Sequence, residues 1–176
     1  MNLRLALIKK LIAFQLSGWD QGTIEEQRAK LLKGNRFDQV PSDIALQPVT
    51  AGGVQCEWIE AAGAGQGVLI SLHGGVYALG AIDSCRAFVA RLSRACGVRG
   101  LAVDYRLAPE HPYPAAVNDI GSVYQWLLDQ GTDPRQIIFA GDSAGGGLAL
   151  AAQLALRDAG LLQPAATVCL SPWSDL

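Results

Sequence analysis

Positive charge is in short supply along this chain of 176 residues. Lys and Arg number 14 against 16 Asp and Glu, which leaves a net charge of -2 and a pI near 5.6. A nucleic-acid surface carries a basic excess, so no nucleic-acid partner is expected. Charge of either sign is sparse at 17%, while half of the residues are hydrophobic. That balance excludes a disordered chain and fits a single domain with deeply buried layers. Long apolar runs are lacking too. None approaches the roughly 18 residues of a membrane helix, so no membrane span is expected. The four cysteines, Cys56, Cys85, Cys96 and Cys169, form no C-x-x-C pair. Their wide spacing offers neither a metal site nor a disulfide framework, and buried reduced thiols favour the cytoplasm. Histidine is nearly absent, with only His73 and His111.

Residues 1–14 are mostly apolar, but Lys9 and Lys10 interrupt them and no A-x-A-like cleavage site follows. The expectation is an amphipathic helix covering the protein's own active site or a partner, rather than a signal peptide. A second helix opens at Thr23-Ile24-Glu25-Glu26, a capping box, and ends near Gly34. Residues 1–40 thus read as a helical cap and 41–176 as the core. A loop with Pro41-Ser42-Asp43 leads into strand-like text. Strands follow at 54–61, 68–72, 100–105, 136–140 and 166–170, with helices at 83–95, 114–130 and 143–159. Apolar strands alternating with helices predict an α/β fold: a mostly parallel sheet with helices on both faces and ligands at the carboxyl ends of its strands.

The sharpest motif is Gly141-Asp142-Ser143-Ala144-Gly145, a G-x-S-x-G at a junction of strand and helix. Such a nucleophile elbow needs Gly141 and Gly145, because a side chain at either place would collide with the turn. The helix start also offers positive partial charge to a developing oxyanion. A phosphate-cradling loop is the alternative for a glycine-rich turn, but no G-x-G-x-x-G register and no Walker lysine accompanies it. Upstream, Leu72-His73-Gly74-Gly75-Val76-Tyr77 follows an apolar strand, where a small-residue loop lets backbone N–H groups approach a substrate carbonyl.

Three motifs carry a family resemblance: His73-Gly74-Gly75, then the run Asp104-Tyr105-Arg106-Leu107-Ala108-Pro109-Glu110-His111-Pro112-Tyr113-Pro114-Ala115-Ala116, then Gly141-Asp142-Ser143-Ala144-Gly145-Gly146. Together they resemble the hormone-sensitive-lipase-like (bacterial family IV) branch of the α/β-hydrolase fold, from about residue 40 to the last residue. The resemblance implies Ser143 as nucleophile and an oxyanion hole from the loop Gly74, Gly75 and Val76 together with Ala144, with His73 supporting the loop and Asp142 steadying the turn. No metal or cofactor is implied. Where this chain has Val76 the family usually has a third glycine, which puts bulky esters in doubt.

A serine needs a histidine to take its proton and a carboxylate to orient that histidine. In this fold both follow the serine. No histidine follows Ser143. His73 belongs to the oxyanion loop and His111 to a turn-rich segment, while Asp158 and Asp175 come too early for the family's acid. About six strands can be counted, fewer than the family's full sheet, and 166–170 would be left as an apolar edge. The expectation is a piece of a longer protein, broken near the cap insertion, whose C-terminal portion supplies Asp and His. The implied partner is a small acyl-ester substrate; a homodimer is left open. Two functions compete: a carboxylesterase working through an acyl-serine, and a non-catalytic module that binds a small ligand in the same pocket. Amidase or peptidase chemistry is the runner-up among enzymes.

Overall fold

The computed structural model describes residues 21–34 and 39–174. The helix expected over residues 1–14 lies outside the described residues, as does Asp175. The expected capping box is present at the start of α1 (Ile24–Gly34): the Thr23 N–H donates to Glu26 Oε2 at 3.0 Å and the Glu26 N–H to Thr23 Oγ1 at 3.3 Å. The core then runs β1 (Ile44–Ala51), β2 (Val54–Ala61), β3 (Val68–Leu72), α2 (Ile82–Cys96), β4 (Arg99–Val103), α3 (Ala115–Asp129), β5 (Ile137–Asp142), α4 (Ala144–Asp158) and β6 (Ala166–Leu170).

The six strands lie in the order β1-β2-β4-β3-β5-β6. From β4 to β6 all pairings are parallel, and β1 and β2 add an antiparallel hairpin at one edge. The sheet is therefore mostly parallel, and its antiparallel part has a local cause. Gly52 and Gly53 join β1 to β2 with φ of 58° and 86°, the geometry of a two-residue hairpin turn that only a glycine pair adopts freely. Pro48 lies in β1, an edge strand, where its missing N–H costs no ladder bond. At the opposite edge β6 alternates between exposed and half-buried residues, leaving Val168 and Leu170 accessible. The expected apolar edge is there.

Two cores sandwich the sheet. On one face α3 and α4 bring Ile120, Tyr124, Leu127, Leu148 and Leu156 against Ile70, Leu101 and Phe139. On the other, Cys85, Val89 and Ala90 of α2 pack on Ile59 and Ala102. All five residues of β3 are buried, four of them apolar and the fifth Ser71, as expected of a central parallel strand. The consequence for function is positional. β3 pairs with β5 from Val68↔Ile137 to Leu72↔Gly141, so both strands end side by side. The loop after Leu72 and the turn after Asp142 therefore emerge at one place.

Phe139 anchors this arrangement. It is fully buried in β5 and meets the Tyr124 ring edge-on, centroids 5.6 Å apart. Phe139→Ala is expected to cost about 3–5 kcal/mol, through lost transfer energy and the cavity left behind. The urea midpoint of unfolding measures it, and a loss below about 1 kcal/mol would contradict the packing described.

Candidate active site

Ser143 joins β5 to α4 with φ 51° and ψ -120°, a conformation that L residues adopt only at a cost. The surrounding backbone holds it there. Its N–H donates to the Leu170 carbonyl at 2.9 Å, and its carbonyl accepts from Gly146, Gly147 and Trp173 at 3.1, 3.2 and 2.9 Å. The result is an exposed side chain on an otherwise buried helix start. Gly141 and Gly145 are glycines because of contact. A Cβ on Gly145 would strike the carbonyls of Leu72 and His73, and one on Gly141 would strike the backbone of Gly145 and Gly146. The first turn of α4 thus rests directly on the end of β3.

That contact brings the loop of residues 73–80 beside Ser143. Asp142 ties the two together: its Oδ1 accepts the Gly74 N–H at 3.0 Å. Asp142 was expected to steady its own turn, but it reaches across to the facing loop. The bond also removes Gly74 from the expected oxyanion donors, because its N–H is already committed. Among the described residues, the amides of Gly75, Val76 and Ala144 donate no hydrogen bond. Val76 and Tyr77 have φ of 50° and 60°, so the loop is strained just where these amides lie. Val76 is a β-branched residue in a region suited to glycine, and the residue is 48% exposed.

His73 is buried and serves the loop. Its ring stacks on Tyr105 at 4.3 Å, its Nδ1 lies 2.9 Å from the Gly74 carbonyl, and the Tyr105 hydroxyl donates to the His73 carbonyl at 2.6 Å. Burial pushes the imidazole pKa down, which keeps the ring neutral and lets Nδ1–H donate to Gly74. His111 is exposed and lines a different pocket, with Tyr77, Tyr113 and Leu148. Among the described residues neither histidine reaches the Ser143 hydroxyl, and no hydrogen-bond partner does.

A cleft of about 310 Å³ opens above Ser143, walled by the 73–76 loop, Asp142, Leu31, Ser84 and Cys85. Burial raises the Cys85 thiol to about 12, so it stands there as a protonated, weakly polar wall. Tyr105 lay inside a motif quoted from the sequence, yet its bond to the His73 carbonyl had no local signal. Leu31, Ser84 and Cys85 had none either, since only the fold brings them to Ser143. No group of residues that could hold a metal occurs among the described residues.

A family model described as the alpha/beta hydrolase fold matches residues 69–176. An acetyl-hydrolase of Streptomyces hygroscopicus is 42% identical over 98% of this chain and 57% of its own length. An esterase of Acinetobacter venetianus is 40% identical over 80% of this chain and 46% of its own. Among solved structures, an esterase from the bacterial hormone-sensitive lipase family superposes with TM-score 0.90 at 41% identity, covering 95% of this chain and 57% of that one. A mutant of the esterase E40 reaches TM-score 0.93 at 40% identity, covering 99% and 60%. The chain spans roughly half to three fifths of the length of these four relatives.

Two outcomes test this geometry. Val76→Gly is expected to stabilise the chain by about 0.5–1 kcal/mol, the relieved left-handed strain less the extra backbone entropy of glycine; a lower urea midpoint in the variant would contradict a strained loop. His73 has its pKa depressed in the fold relative to the ordinary value of 6.5. Below about pH 6.5 the unfolded state therefore binds more protons, and stability falls with pH by up to about 1.4 kcal/mol per unit. An NMR titration should find the His73 midpoint below the ordinary 6.5; a midpoint at or above that value would refute the buried neutral assignment.

Proposed function

Because the chain belongs to the α/β-hydrolase fold family, matched over residues 69–176, we propose that it is the nucleophile-bearing portion of a serine carboxylesterase. Its relatives include hydrolases named as esterases and an acetyl-hydrolase. In this reading Ser143 Oγ attacks the carbonyl carbon of a short-chain acyl ester. The serine proton passes to a histidine, and that histidine and its orienting Asp come from a C-terminal portion outside these 176 residues. The tetrahedral oxyanion takes hydrogen bonds from the free amides of Gly75, Val76 and Ala144. The first turn of α4 adds its positive partial charge. Collapse expels the alcohol, which leaves with the proton, and water then releases the acid from acyl-Ser143.

One observation carries the proposal: an exposed serine held at a positive φ, beside three amides with no other partner among the described residues. Short acyl groups fit it best, because Val76 stands in a cleft of only about 310 Å³. Residues 1–40 are kept as a cap, since Leu31 of α1 already walls that cleft. The reading places the enzyme in the cytoplasm, on the buried thiols Cys56 and Cys85. A second reading, a ligand-binding module without catalysis, is favoured by the lack of a histidine within reach of Ser143 among the described residues.

Loss of a triad member costs up to about 10⁶ in turnover and leaves roughly 10³–10⁴ over water. The 176-residue chain should therefore hydrolyse p-nitrophenyl acetate far below about one turnover per second, a low value for a working enzyme. Ser143→Ala should leave that residual rate within a few-fold of the parent, because it comes from the oxyanion hole and binding. Turnover of about one per second or faster by the chain alone would overturn the claim that the base lies elsewhere. Once a C-terminal portion from a matching relative is added, a fluorophosphonate should label Ser143; no labelling would favour the binding module.

A further inference from the structure

Arg28 of α1 donates four hydrogen bonds to parts of the chain far away in sequence. Its Nε donates to the Ala78 carbonyl at 2.8 Å and its Nη2 to the Ala108 carbonyl at 3.0 Å. Nη1 and Nη2 also grip the two carboxylate oxygens of Glu110, each at 2.8 Å. Ala78 belongs to the turn in which the N–H groups of residues 78 and 79 both donate to the Gly75 carbonyl. Ala108 N–H in turn donates to the Tyr77 carbonyl. One guanidinium therefore clasps the loop that carries the free Gly75 and Val76 amides and the neighbouring segment that supports it. Leu31, three residues further on the same helix face, lines the cleft above Ser143.

We propose that Arg28 is a positioning residue, which locks α1 onto the Gly75–Leu79 turn and so couples the docking of the cap helix to the shape of the proposed oxyanion loop. The functional consequence rests on the esterase reading; the positioning itself rests on geometry alone. The carboxylate is not the main anchor. The Arg28 and Glu110 side chains are 27% and 46% exposed, and ion pairs so accessible contribute little. The two carbonyl bonds are what tie the loops. They require a planar fork whose donors point in several fixed directions, which lysine does not have. The device also explains why a polar residue on a short helix near the N-terminus bears on a cleft built by residues 73–85 and 142–143.

Amide hydrogen exchange of the 176-residue chain, followed by NMR, tests this without relying on catalysis. Its failure would sink the latch, whereas absence of Ser143 labelling would sink the esterase reading. Arg28→Ala should speed exchange at Ala78, Leu79 and Ala108 by about tenfold or more. Ile70 and Phe139 in the central strands should keep their rates, and free methylguanidinium should restore the loop amides. Arg28→Lys keeps the charge without the fork, so its loop amides should stay fast. Glu110→Gln keeps both carbonyl bonds and should leave them within about twofold of the parent. The proposal is overturned if the loop amides of Arg28→Ala exchange as in the parent, if Arg28→Lys protects them fully, or if Glu110→Gln speeds them as much as Arg28→Ala. If Arg28→Ala also speeds Ile70 and Phe139, the Lys and Gln variants decide by the same criteria.

Discussion

The arrangement around Ser143 depends on one contact, the first turn of α4 lying against the end of β3. Position 145 has no room for even a methyl group, because the carbonyls of Leu72 and His73 already occupy that space. Backbone touching backbone at this point sets the separation between the elbow serine and the loop of residues 73–80. Each further tie refines the contact. Asp142 reaches the Gly74 N–H, Tyr105 holds the His73 carbonyl, and the buried, uncharged imidazole braces Gly74 from below. A serine on a flexible loop would have no such neighbours at a defined distance. Here the sheet's parallel pairing of β3 with β5 supplies them, and the glycines keep them close.

Much of this was legible in the sequence because it is local. The capping box needs only Thr23 and Glu26, three residues apart, and the structure shows both of its bonds. The strands at 54–61, 68–72 and 166–170 matched residue for residue. The antiparallel edge was harder. Strand-like text after Asp43 was noted, but the pair Gly52-Gly53, the signal for a two-residue hairpin, was not used to join β1 to β2. Parallel pairing was expected from the alternation of strands and helices, a rule that does not reach a hairpin placed before the first crossover.

What the sequence did not reveal is what depends on distance in space. Asp142 and Gly74 are 68 residues apart, and nothing local says that this carboxylate consumes that amide. Arg28 and its partners Ala78, Ala108 and Glu110 are separated by 50 to 82 residues. A charged residue on an early helix reads as a solvated face until the fold delivers two carbonyls to it. Cys85 is similar: its thiol reads as a core residue in α2, and it is one, yet one side of it faces the cleft above Ser143.

The strain at the site bears on what such a cleft is for. Ser143, Val76 and Tyr77 all have φ between 50° and 60°, and the first two line one opening. Each residue held this way costs of order 1–3 kcal/mol, which the surrounding packing and hydrogen bonds must offset. A pocket that only binds a ligand needs complementary walls and gains nothing from a serine forced out of the backbone's preferred conformation. A nucleophile gains a fixed position relative to donors that wait for a charge not yet formed, and it meets no reorganisation cost when that charge appears. Among the described residues, three amides without partners beside an exposed hydroxyl fit the second case, which is the one proposed. Val76 adds to the same cost: a β-branched side chain kept at a position that suits glycine lines the cleft at the expense of backbone strain.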